Sequence, residues 1–197
     1  MGLRNPGPEY EGSRHNVGAE VVERLAADQV SAFRRAPRCI RARVASADLP
    51  GGRAWLAVPS TFMNESGRGV APLLRYYKVP VERLVLVHDD IDLPFGKLRF
   101  HFGRGTGGHN GVASVVQALG SDSLWRLKVG VGRPPGRMDP AGFVLQRFSA
   151  QERPDVDRLV AAGAGVLRTF AAAGGEQARQ EAGEASARLG IARPEPD

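Results

Sequence analysis

Short apolar runs alternate with stretches of helical period along this chain, the pattern of an α/β domain. Residues 17–33 repeat apolar side chains at helical spacing, through Val21, Val22, Leu25 and Ala26, and predict a first helix. Residues 40–47 and 54–58 have the composition of strands, the second stopped by Pro59, which lacks a backbone N–H. Residues 70–77 predict a helix, and residues 84–88 a buried strand that runs into the carboxylates Asp89 and Asp90. The alternating segment 98–102 predicts another strand, ahead of a glycine-rich stretch at 103–111. Residues 112–119 predict a helix closed by Gly120, because glycine accepts the left-handed conformation in which helices end. A strand at 127–131 and a long helix at 155–173 complete the regular pattern.

A length of 197 residues suits one domain, and 42% hydrophobic residues suffice for a core. Residues 1–175 are expected to form that domain. Beyond Gly174 the sequence turns Ala/Glu/Arg-rich and ends Arg-Pro-Glu-Pro-Asp, so 176–197 predict a polar tail, partly helical or disordered, without chemistry. Charge divides the same way. The formal net charge is +6, and the tail, with five acids and three arginines, carries −2, which leaves +8 on the body. A basic body suits a polyanionic partner, although basicity alone is a common property. Cys39 is the only cysteine, which excludes an internal disulfide and a cysteine-rich zinc site. No apolar run approaches the roughly 20 residues that span a bilayer. The N-terminus carries no charged-then-apolar leader, and Pro6 stands where a myristoylation pattern needs Ser or Thr. The expectation is a soluble cytoplasmic protein.

Four polar clusters fall at predicted strand ends or in neighbouring loops, where open α/β sheets place their sites. They are Asn5-Pro6-Gly7 with Arg14-His15-Asn16, Thr61-Phe62-Met63-Asn64, His88-Asp89-Asp90-Ile91-Asp92, and Gly107-Gly108-His109-Asn110-Gly111. His15 alone reads more readily as a surface or capping histidine than as a base. As a base it needs a carboxylate to fix its tautomer and favour the imidazolium, and Asp89, Asp90 and Asp92 are the candidates. Strand alternation aims Asp89 and Asp90 to opposite faces, so one at most is expected in a pocket. Alone, the acidic cluster reads equally as a solvated loop or a magnesium site. The glycine-rich stretch can cradle a phosphate, but it lacks the Gly-Lys-Ser/Thr ending of a P-loop. Asn5, Asn64 and Asn110 are ordinary turn and cap residues unless one cleft collects them, where their amides would polarise a carbonyl.

In combination these clusters resemble a known family. Gly2-Leu3-Arg4-Asn5-Pro6-Gly7-Pro8-Glu9-Tyr10 followed by Arg14-His15-Asn16-Val17-Gly18 resembles the N-terminal signature of bacterial peptidyl-tRNA hydrolases. The segments 59–67, 88–96, 107–111, 126–134 and 142–145 are similar to its further motifs, in order. The resemblance implies a monomeric α/β fold with a twisted mixed, mostly parallel sheet flanked by helices. It implies hydrolysis of the ester between a peptide and tRNA, recycling tRNA from aborted translation without metal or cofactor. By motif position His15 is similar to the proton acceptor, Asp89 to its supporting carboxylate, and Asn5 to the residue that distinguishes blocked from free aminoacyl-tRNA. Tyr10, Phe62, Asn64 and Asn110 match positions that contact the tRNA 3′ end and its peptide. His101 and Lys128 stand at the positions of a phosphate clamp toward the acceptor stem. Lys97, Arg99, Arg104, Arg126 and Arg133 are further cations that would meet phosphates or solvent.

Two departures stand out. Only Met1 remains of the apolar strand that usually precedes Gly-Leu-x-Asn-Pro-Gly, so the first strand reads as truncated, with Met1 expected in a strand position. Arg4 replaces a small residue beside Asn5. The rival readings are a non-catalytic RNA-binding or splicing-factor-like relative, a metallohydrolase using His15, His88, His109 and Asp89, and a serine hydrolase. The retained His15, Asp89 and asparagines speak against the first, the absence of a His-x-x-x-His pair against the second, and the absence of a Gly-x-Ser-x-Gly elbow against the third.

Overall fold

The alternation is realised as two three-stranded sheets with helices on both faces. A computed structural model describes residues 1–38, 40–103 and 105–191; Cys39, the candidate cation Arg104 and the last six residues lie outside the described residues. The strands are β1 (Arg34–Arg35), β2 (Ala42–Leu49), β3 (Gly52–Pro59), β4 (Val85–Asp90), β5 (Leu98–Phe102) and β6 (Trp125–Gly130). The helices are α1 (Val17–Asp28), α2 (Gly67–Tyr77), α3 (Asn110–Leu119), α4 (Pro140–Leu145), α5 (Arg153–Ala173) and α6 (Gly175–Leu189). As expected, Gly120 closes α3 in the left-handed conformation. Helix α1 stops five residues short of its predicted end. Val30 turns into the left-handed region (φ 50°) and the chain reverses to pair Arg34 with Val44.

The sheet orders are β1-β2-β3 and β4-β6-β5. Residues 1–3 lie between them. Gly2 N–H donates to the Ala57 carbonyl of β3 (2.9 Å), and Leu3 N–H to the Val87 carbonyl of β4 (3.0 Å). Val87 N–H donates back to the Met1 carbonyl (2.9 Å), so Met1 does occupy a strand position. The sheet is mixed, as expected, and partly parallel. Among the named pairs only β4 with β6 is parallel; β1–β2, β2–β3 and β5–β6 are antiparallel. The two-residue connection between β2 and β3 leaves no room for the crossover that a parallel pair needs.

Alternation along the strands divides the core. Val87, Leu127 and Val129 face α1 and α5, whereas Leu84 and Leu86 face α2 and α3. Gly18 of α1 lies so close to the Val87 carbonyl that a Cβ would collide with it. This close approach sets the turn before α1 over the end of β4.

Within the segment expected to be a partly helical or disordered tail, the described residues form a packed helix. Residues 175–189 form α6, which buries Ala178, Ala182 and Ala185 against the main core, and Ile191 follows them inside. These alanines recur at i, i+4 and i+7 and let the helix approach the outermost strand of its sheet closely. Ser186 Oγ accepts the Leu98 N–H of β5 at 2.7 Å, so the helix covers an edge that would otherwise be open.

Candidate functional site

Three chain segments meet at the C-terminal end of β4. Asp89 is almost fully buried there, and its Oδ1 accepts two hydrogen bonds, from His15 Nδ1 at 2.8 Å and from His109 Nε2 at 2.9 Å. The His109 tautomer follows from its other nitrogen. His109 caps α3, and its Nδ1 accepts the backbone N–H groups of Gly111 (3.1 Å) and Val112 (3.3 Å), so the ring proton is on Nε2. Burial alone would raise the Asp89 carboxyl, but the charge and hydrogen bonds of His109 and His15 outweigh it and hold the group far below the ordinary carboxylate range. An ionised Asp89 in turn keeps the His15 proton on Nδ1. His15 lines the cleft, and Nε2 is the nitrogen left with its lone pair.

His88 stands behind this pair. Its Nδ1–H donates to the Asp89 carbonyl (2.7 Å), its Nε2 is buried without a partner, and its ring meets His109 edge-on at 4.7 Å. Burial, and next the positive charge that His109 would carry, push the His88 imidazole well below its usual range, so it is neutral.

The turn that presents His15 is anchored from below. The buried Arg14 guanidinium donates to both oxygens of Glu152 at 3.0 Å and to the Arg147 carbonyl at 2.9 Å, and lies 4.3 Å from the Phe143 ring centroid. Asn16 Oδ1 accepts the Asn5 N–H (2.8 Å), and its Nδ2 donates to the carbonyls of Asn5 and Tyr10, both at 3.0 Å. Asn5 Oδ1 accepts the Met63 N–H at 2.8 Å. That bond fixes the amide and leaves Asn5 Nδ2 as its donor toward the cleft.

The cleft has a volume of about 510 Å³, and its walls include Asn5, His15, Asn64, Asp89, Asn110 and Lys128. Gly107 and Gly108 on one side and Pro140, Val144 and Leu145 of α4 on the other complete it. Both Asp89 and Asp90 line the cleft, not one of them. Asp89 turns to the histidines and Asp90 to Lys128 Nζ at 2.5 Å, because the cleft opens past the end of the strand and takes side chains from both faces. Tyr10 and Phe62 stand outside these walls, edge to face with centroids 6.4 Å apart, and Phe62 is 51% exposed.

The remaining cations divide. Arg126 is buried, with its guanidinium turned to the Gly103 carbonyl, and so is removed from the surface. Lys97 reaches the Ser186 carbonyl of α6 (3.5 Å) and Arg133 pairs with Asp92. His101 lies on β5 opposite Arg126, and Arg99 opposite Lys128. Ligand atoms of His15, Asp89 and His109 all fall within 4.8 Å of one another, close enough to hold a metal ion. Asp89 Oδ1, His15 Nδ1 and His109 Nε2 already engage one another, so a cation held by those atoms would displace both bonds and the His109 ring proton.

A buried carboxylate clamped by two imidazoles, in a cleft that three asparagines also line, is placed by the same segments that carry the motifs. The sequence profile of the family described as Peptidyl-tRNA hydrolase matches residues 1–191. The chain belongs to the peptidyl-tRNA hydrolase family. A peptidyl-tRNA hydrolase of Kineococcus radiotolerans is 45% identical over 186 residues, 92% of this chain and 94% of its own. One of Mycobacterium avium is 48% identical over 159 residues, 81% of this chain and 83% of its own. The crystal structure of peptidyl-tRNA hydrolase from Acinetobacter baumannii superposes with a TM-score of 0.83 at 30% identity, covering 91% of each chain. For this member of the family, sequence reasoning gave His109 a role only as a ligand in the rival metallohydrolase reading, and gave none to Arg14 or Asn16. The His-Asn-Gly at 109–111, ahead of an apolar periodic run, was the available signal for a capping histidine.

Proposed function

We propose that this chain hydrolyses the ester between a peptide and tRNA, with His15 as general base, and so returns tRNA from aborted translation. The observation that carries the reading is the shared Oδ1 of Asp89, which leaves His15 Nε2 as the basic nitrogen in a cleft that Asn5, Asn64 and Asn110 also line. His15 Nε2 takes a proton from water, whose oxygen forms a bond to the ester carbonyl carbon. The negative charge that collects on the carbonyl oxygen meets amide N–H donors, of which Asn5 Nδ2 is the best fixed. Collapse of the intermediate breaks the bond to the ribose oxygen, and the proton held by His15 goes to that leaving oxygen. The reaction needs neither metal nor cofactor. Tyr10 and Phe62 offer rings to the tRNA 3′ end, Asn64 and Asn110 hold the peptide, and Lys128 with His101 meets phosphate of the acceptor stem. The same reading takes the protein as a cytoplasmic monomer.

The test is release of N-acetyl-amino acid from N-acetyl-aminoacyl-tRNA in the presence of chelator. His15→Ala is expected to lower turnover by about 10²–10⁴-fold while tRNA binding persists. Wild-type turnover that collapses in chelator, or a His15→Ala variant as fast as wild type, would overturn the reading.

A further inference from the structure

A basic and aromatic surface lies outside the cleft, on the β1-β2-β3 sheet. Residues 34–43 hold five arginines and no acid, in a chain whose whole net charge is +6. Among the described residues, Arg34, Arg35, Arg38 and Arg41 have no carboxylate within ion-pair distance, and Arg43 reaches only Glu23 at 3.8 Å. Arginines on several helices are paired by contrast, as Arg68 is with Glu65 (2.6 Å), Arg158 with Asp155 (2.5 Å) and Arg179 with Glu176 (2.8 Å). Unpaired positive charge at this density repels itself and is relieved by a polyanion.

Aromatic rings stand beside the arginines. Trp55 of β3 stacks on Tyr77 at the end of α2, centroids 3.8 Å apart and planes 26° apart. Tyr76 meets Tyr77 edge-on, and the Arg38 guanidinium lies 5.4 Å from the Tyr76 centroid. Despite these contacts, Trp55 and Tyr76 remain 37% and 38% exposed. A second cavity of about 510 Å³ is lined here by Arg34, Arg35, Val44, Trp55 and Tyr77 among others. Protection of a short sheet edge explains arginines on β1. It does not explain why the exposed Trp55 and the half-buried Tyr77 share a cavity with Arg34 and Arg35.

We propose that this surface binds single-stranded nucleic acid, with a base stacked on the open part of Trp55 and the flanking phosphates on Arg34, Arg35 and Arg41. Stacking platforms bordered by unpaired cations are the usual construction for unpaired strands, since every base has a π-face and every linkage a charge. The surface leads to the cleft. From Trp55 to Pro59 the strand β3 covers roughly 13 Å, and Ser60 N–H then donates to the Arg41 carbonyl (3.0 Å), just before Phe62. The inference concerns binding alone and stands whether or not the chain is a hydrolase.

The test is fluorescence anisotropy of a labelled ten-nucleotide RNA of mixed sequence, carrying no ester, titrated with the full chain. Trp55→Ala is expected to weaken binding about 5- to 150-fold. Arg34→Ala with Arg35→Ala is expected to flatten the slope of log affinity against log salt by about 1.4, and these exposed side chains decide the matter if Trp55→Ala fails to fold. Arg179→Ala, which removes one cation paired with Glu176 on α6, is expected to leave the affinity within about twofold. No RNA binding by the wild type, unchanged binding in both surface variants, or an equal loss in Arg179→Ala would overturn the proposal. So would tighter binding to phosphatidylserine vesicles or polyglutamate than to the RNA. Hydrolysis of N-acetyl-aminoacyl-tRNA, followed separately, reports on the catalytic reading and not on this one.

Discussion

At the scale of single residues, the site turns on one oxygen. Asp89 Oδ1 accepts from His15 and His109 together, so the carboxylate fixes two tautomers at once. Asp89→Asn keeps the shape but removes the charge that favours the His15 imidazolium. Turnover in a single-turnover assay is expected to fall by about 10²-fold or more, with tRNA affinity nearly unchanged. An affinity lost in step with turnover would assign Asp89 to binding instead. His88 gives a second expectation. Buried and neutral when folded, it takes up a proton below about pH 6.5 only when the chain unfolds. Its contribution to stability is therefore complete above that pH and declines as pH falls below it, by at most about 1.4 kcal/mol per pH unit. The melting temperature of the wild type should fall more steeply between pH 7 and 5 than that of His88→Asn. Parallel curves would show that His88 does not titrate on unfolding.

At the scale of elements, the turn before α1 and the helix α6 matter most. Arg14 makes its bonds to Glu152 and two carbonyls below the turn that carries His15. Arg14→Met is expected to cost about 3 kcal/mol in urea unfolding and to lower turnover with it, because the turn loses its anchor. Helix α6 is tied to β5 through Ser186. Ser186→Ala leaves the Leu98 N–H without its acceptor and is expected to cost about 1–3 kcal/mol, with turnover at 25 °C unchanged. Equal unfolding midpoints for the variant and wild type would show that α6 is not needed to close that edge. In the sequence, α6 looked like a tail because alanine adds little apolar signal among glutamates and arginines. Its period of Ala178, Ala182 and Ala185 was present but weak. Strand β5, in contrast, was legible residue for residue, since alternation of Leu98, Phe100 and their polar neighbours is a strong signal over five positions.

At the scale of the molecule, the body is basic and its substrate, in the proposed reading, is a polyanion. In that reading His101 and Lys128 form a phosphate clamp, and Lys128→Ala should weaken tRNA binding and flatten its slope of log affinity against log salt by about 0.7–0.9. Unchanged affinity and slope would remove the clamp. The sequence by itself determined the family resemblance, most of the elements and most of the polar segments that line the cleft, because motifs and hydrophobic periods are local and survive in one dimension. Motif position pointed to Asp89 as the partner of His15, but how the strands pair, where His109 points and which cations stay on the surface were left open. Those depend on contacts between residues far apart in the chain. Asp89 is 74 positions from His15, and only the meeting of β4 with the turn before α1 brings them to 2.8 Å. Burial decided the rest, turning Arg126 inward and the apparent tail into core, since the area that closes over a residue is a property of the whole fold.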